Sequence, residues 1–154
     1  MMALEAALER AFNEIEPALV ARLDAVLAEG LPDQPYWPGM TPRPGAGPVF
    51  EISRRAASDV TPANWRESEA WAAGFVLMRR GYFWEAHEVL EPVWQGLPPN
   101  GPDRPFVQAA IQYANGRLKA AMGRDKAAAR LFAIASAHLE DARSRGFRPG
   151  GDGP

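Results

Sequence analysis

The run Tyr82-Phe83-Trp84-Glu85-Ala86-His87-Glu88-Val89-Leu90-Glu91-Pro92-Val93-Trp94 sets a histidine and three glutamates among aromatic residues on one short segment. At about 100° per residue, Tyr82, Ala86, Val89, Leu90 and Val93 share one helical face. His87 and Glu91, four apart, border that face. Glu88 and Glu91, three apart, occupy the next strip with Trp84 between them. Three chemistries fit the pattern. Imidazole with carboxylates one and four residues on is a nitrogen-and-oxygen donor set for a transition metal. His87 with Glu91 is an acid–base couple in which the carboxylate favours the charged imidazole. The third is a hydrogen-bonded polar seam or a solvated face with no ligand. The zincin pattern, two histidines four apart with a glutamate after the first, is not met.

A second segment supplies a complement. Gln108, Gln112, Asn115 and Lys119 follow at steps of four, three and four beside an apolar face of Val107, Ala110, Ile111, Ala114 and Leu118. Amides both donate and accept, so Gln108 and Gln112 can meet Glu88 or Glu91 without adding charge. The candidate pocket is therefore Trp84, Glu85, His87, Glu88, Glu91, Gln108 and Gln112. No cofactor is predicted, and a divalent metal on His87, Glu88 and Glu91 is the alternative occupant. Trp94 is expected between the two helices as a core residue.

The elements that must position these side chains are helical. Leu4, Leu8, Phe12, Ile15, Leu19, Leu23 and Leu27 draw one stripe over residues 3–29. Pro17 inside it removes a helical hydrogen bond and predicts a kink, or a break near Asn13. Residues 31–62 carry seven of the chain's 15 prolines and read as an extended arm, docked through Tyr36, Trp37, Val49, Phe50 and Ile52. Thr61-Pro62 reads as a cap and first turn, opening a helix to about residue 80. Further helices are expected over about 82–95, 104–122 with Asp103 as cap, and 125–145. The expectation is an all-α single domain over 1–154, a compact bundle of about five helices. Its parts are an N-terminal helix or kinked pair (1–30), the proline-rich arm (31–61), a four-helix core (62–145) and a flexible tail (146–154).

Composition narrows the partners. Hydrophobic residues are 47% and charged residues 23% of the 154, an ordinary globular balance. A net charge of −2 gives no source for phosphate-backbone attraction, so nucleic acid is not expected. With no cysteine there is no disulfide, thiolate metal site or cysteine nucleophile, which suits a cytoplasmic protein. No apolar run approaches the roughly 20 residues of a membrane span, and Glu5, Glu9 and Arg10 interrupt any signal core. There is no phosphate-loop glycine pattern and no serine nucleophile elbow.

The stretch Gly81-Tyr82-Phe83-Trp84-Glu85-Ala86-His87-Glu88, with Glu91 and Trp94, resembles the signature of the domain of unknown function 309 family, small helical bacterial and archaeal proteins. Phe106 to Lys119 and the arm motif Tyr36-Trp37-Pro38-Gly39-Met40-Thr41-Pro42-Arg43-Pro44 are similar to further parts of it, over about 35–143. The resemblance implies a helical fold and carries no activity. Relatives tend to have histidine where Arg43 stands and a Gly-His-Ser stretch that Gly47-Pro48-Val49 does not reproduce, which weakens a metal assignment here. The functional expectation is a cytoplasmic helical protein with a Glu/His/Gln pocket for a small polar ligand. The alternatives are a non-catalytic helical protein–protein interaction module and a metal-dependent hydrolase-like enzyme. A homodimer is compatible with the chain, and nothing in its composition selects an enzyme or excludes one.

Overall fold

The computed structural model describes residues 1–148 and contains, among them, seven α-helices, one short 3₁₀ turn and no strand. The all-α expectation holds, with two more helices than anticipated. One comes from the break at Pro17. Helix α1 spans Met2–Asn13 and α2 spans Pro17–Gly30, with proline in the first turn of α2, where its missing N–H costs nothing. Leu4, Ala7, Leu8 and Ala11 of α1 and Leu23 and Leu27 of α2 are buried.

The other extra helix corrects the reading of 31–61 as a wholly extended arm. Residues 31–47 are irregular, but Pro48–Asp59 forms α3. Pro48 again starts a helix rather than breaking one, and Val49, Ile52 and Ala56, spaced by three and four, form its buried stripe. Gly47 precedes it at φ 125°, a conformation that favours glycine. The end of α2 closes onto this start so tightly that a Cβ at Gly30 would lie 2.5 Å from the Pro48 ring.

The core motif follows. Trp65–Glu67 is the 3₁₀ turn, and α4 is Glu69–Arg79. Its cap is Ser68, whose Oγ accepts from the Trp71 N–H at 3.2 Å, not Thr61 as the Thr-Pro pair suggests. Helix α5 is Phe83–Gln95, α6 is Asp103–Ala121 and α7 is Asp125–Ser144. Asp103 does not cap α6; its carboxylate accepts from Trp65 Nε1 at 3.1 Å and so ties the 3₁₀ turn to α6. Helices α4, α5 and α6 pack in sequence, α7 lies along α6, and α3 crosses α5. The close approaches are bought by glycine: a Cβ at Gly74 would sit 2.5 Å from Leu90, and one at Gly116 2.6 Å from Phe132. Trp65, Trp71, Phe75, Phe106 and Phe147 form a chain of rings through the core.

The tail expected to be loose from Gly146 begins otherwise. Phe147 is buried and stacks on Phe106 with centroids 4.1 Å apart. Residues 149–154 lie outside the described residues. Among those described, no helix is long and apolar enough to cross a membrane.

Candidate functional site

Helix α5 turns His87, Glu88 and Glu91 away from its buried stripe of Ala86, Val89, Leu90 and Val93, and Glu85 is buried beside that stripe. A step of three residues rotates about 60° around a helix axis. Glu85, Glu88 and Glu91 therefore face three successive directions, and they meet three different surroundings.

Glu85 points under the arm. It is 2% exposed, its Oε2 accepts from the Tyr36 N–H at 3.0 Å, and its Oε1 is buried without a hydrogen-bond partner. Burial raises the pKa of this carboxyl above the usual value; the Tyr36 N–H opposes the shift and the neighbouring Glu88 charge adds to it. The arm is clasped at further points. The Tyr82 hydroxyl donates to the Pro32 carbonyl. The Tyr36 ring meets Trp84 edge-on with centroids 4.7 Å apart, and the Arg43 guanidinium lies 5.6 Å from the Trp84 ring centre. From α3, Phe50 approaches the same indole at 6.3 Å, and the Ser53 hydroxyl donates to the Glu88 carbonyl at 3.0 Å.

His87, Glu88 and Glu91 come together as their spacing suggests. His87 Nε2 lies 3.1 Å from Glu91 Oε2, and His87 Nδ1 lies 3.8 Å from Glu88 Oε1. One nitrogen and two carboxylate oxygens from these residues fall within 4.8 Å of one another, all on half-buried side chains. The separation suits convergence on one cation or on a polar group.

The glutamines are close in height but not bonded to the carboxylates. Arg104 stacks on the Trp94 ring at 3.9 Å and Arg117 lies 5.2 Å from the Phe83 ring, so α6 runs antiparallel to α5. That register sets Gln108 level with Glu91 and Gln112 level with His87. Among the described residues no hydrogen bond links either amide to Glu88 or Glu91; Gln112 Oε1 accepts from Asn115 Nδ2 at 3.3 Å, and Gln108 has no partner. Trp94, expected in the core, is half-buried, because its outer face carries Arg104 in place of apolar neighbours.

Arg104 is the residue that sequence reasoning missed. It has no carboxylate partner among the described residues, and its Nε is buried without a hydrogen bond. The signal was available, since Arg104 precedes Gln108 by four and begins the same strip. Tyr36 and Phe50 were expected to dock the arm, but their partner Trp84, like the contact of Ser53 with Glu88, was beyond reach, because only the tertiary path of the arm and α3 brings them to α5.

Fold and geometry define an all-helical domain with His87, Glu88 and Glu91 clustered on α5, beside the polar strip of α6. Residues 71–131, which span α4 to the start of α7, match the model of a family described as a domain of unknown function (DUF309). The resemblance thus rests on the core helices that carry the ridge. No curated protein and no solved structure matches the chain.

Proposed function

We propose that the α5–α6 ridge binds a small polar ligand that carries a positive group. The observation that supports this most is the half-buried trio of His87, Glu88 and Glu91, with two carboxylates against one imidazole and amides at the same height on α6. A cationic group would sit against Glu88 and Glu91, and the unpaired amide of Gln108 is free to hold a polar body. Trp84 already accepts a cation, since the arm's own Arg43 rests on it. Arg104, without a carboxylate partner, offers a counterpart for an acidic end of the same ligand.

A second reading, a divalent cation on the trio, draws on one observation, the 4.8 Å convergence of the three donor atoms. It is the starting point for a metal-dependent activity. The interaction-module reading draws on less: the large exposed apolar side chains Met1, Met2, Val26, Met40 and Ile134 are spread over the N-terminus, α2, the arm and α7.

The test is titration calorimetry of the full chain with putrescine and ethanolamine as amine probes, and with Mg²⁺, Mn²⁺ and Zn²⁺ as metal probes. Saturable amine binding, lost in Glu88→Gln with the fold retained, is the expected result. Binding of metal alone, lost in the same variant, replaces the first reading by the second. A Glu88→Gln protein indistinguishable from the parent with every probe overturns both.

A further inference from the structure

We infer that a second cleft, between α1 and the α4–α5–α6 core, binds a small zwitterion with an apolar body, of the class of hydrophobic α-amino acids. The cleft holds about 320 Å³, at the lower end of the range for small-molecule sites. Its floor is Leu8, Phe75, Met78 and Phe83, which give an apolar body a surface to cover. None of the ridge residues lines it.

Its charges are arranged in two different ways. Arg79 donates to both oxygens of Glu9 at 3.1 and 3.2 Å, so that pair is satisfied internally. Arg117 and Glu5 are held apart instead. Arg117 Nη1 donates to the Tyr113 hydroxyl at 3.1 Å, and that hydroxyl donates to Glu5 Oε2 at 3.2 Å. Tyr113 is buried, and its hydroxyl bridges the cation and the anion by accepting from the first and donating to the second. Arg117 has no carboxylate partner among the described residues, and most of its five donors are unused. Its guanidinium is kept in place by the Phe83 ring at 5.2 Å. A carboxylate is the natural complement of that guanidinium, in bidentate geometry, and an ammonium is the complement of Glu5. A cation and an anion two hydrogen bonds apart, beside an apolar floor, match a molecule whose carboxylate and amine share one carbon. A simple fatty or aromatic acid would leave Glu5 facing its apolar part, and a simple amine would leave Arg117 so.

Three probes with one aromatic body separate these cases: L-phenylalanine, phenylacetate and 2-phenylethylamine. Binding is read by calorimetry and, on the unaltered chain, by the NMR shift of the Met78 methyl group on the cleft floor. L-phenylalanine is expected to bind saturably and move the Met78 signal, with each of the other two at least about tenfold weaker, the loss for one charge-assisted hydrogen bond. Arg117→Gln and Glu5→Gln should each weaken phenylalanine by a similar factor, Arg117→Gln without further harm to the amine and Glu5→Gln without further harm to phenylacetate. Both side chains are exposed, so both variants should fold, and the Met78 reading on the parent protein stands even if one does not. Phenylacetate or the amine binding as tightly as phenylalanine, either variant leaving phenylalanine binding unchanged, or no probe moving the Met78 signal would each overturn the assignment.

Discussion

Glu85→Gln isolates the one carboxylate that the fold buries. Glutamine keeps an oxygen to accept the Tyr36 N–H, and its amide nitrogen brings donors that a carboxylate lacks. What it removes is the cost of holding a charge in a site 2% exposed. Because burial raises the folded-state pKa of Glu85 above its ordinary value of 4.5, the folded chain keeps a proton there that the unfolded chain gives up. Stability then falls as pH rises from about that ordinary value through the folded-state value, since the native state binds more protons in that window. The glutamine variant has no such loss. Its advantage over the parent is expected to grow with pH and then level off, at no more than about 1.4 kcal/mol per pH unit for a single proton. Urea unfolding of both proteins from pH 4 to 8, compared at equal m-value, reads this from the difference between them, in which groups remote from Glu85 cancel. Glu85→Ala supplies the contrast: it leaves the Tyr36 N–H without its acceptor, at a cost of about 1–3 kcal/mol relative to the glutamine variant. A difference between parent and Glu85→Gln that stays flat across this range, or a glutamine variant clearly less stable at pH 8, would refute the reasoning.

Two substitutions test the packing around the ridge. Trp94→Ala is expected to cost about 1–3 kcal/mol, below the 3–5 for emptying an aromatic core site, because the indole is half-buried and one face carries only Arg104; chemical denaturation giving a loss above about 4 would place it in the core after all. Gly116→Ala is expected to cost about 1–3 kcal/mol by overpacking, since the added Cβ would stand 2.6 Å from the Phe132 ring, and a neutral result would mean that α6 and α7 separate freely.

The helices of the core were legible because their apolar residues recur at three and four and their ends are marked by glycine. Gly81 and Gly123 both sit at positive φ, and the N–H just beyond each returns to the preceding helix, Tyr82 to the Leu77 carbonyl and Arg124 to that of Lys119. Helix α3 was missed for a definite reason. Val49, Ile52 and Ala56 carry the period, but the prolines around them read as breakers, whereas Pro48 occupies a first-turn position that tolerates it. The same density of proline hid the contrast between an irregular segment over 31–47 and an ordered helix after it. Capping failed at both places where it was named: the helix after Thr61 starts only at Glu69, capped by Ser68, and the Asp103 carboxylate serves the distant Trp65 instead of its own helix.

On the ridge, local spacing was sufficient for what lies along one helix and insufficient for what lies across two. His87 and Glu91 meet because four residues make nearly one turn, whatever the rest of the chain does. The expected link from Glu88 or Glu91 to Gln108 or Gln112 also needed the rotation of α6 about its own axis, and no pattern in one helix specifies that. Grouping Glu85 with Glu88 and Glu91 had the same weakness. Successive three-residue steps turn each carboxylate by about 60°, so three identical side chains are carried from the arm to the α6 seam. Their environments then diverge: Glu85 is sealed under Tyr36, while Glu88 and Glu91 stay half-buried around His87. Neighbouring members of this sweep still communicate, because the Glu88 charge adds to the burial that raises the pKa of Glu85. Any positive group that settles against Glu88 must offset that repulsion and favour the ionised form of Glu85, and with it a stronger acceptor for the arm's Tyr36 N–H.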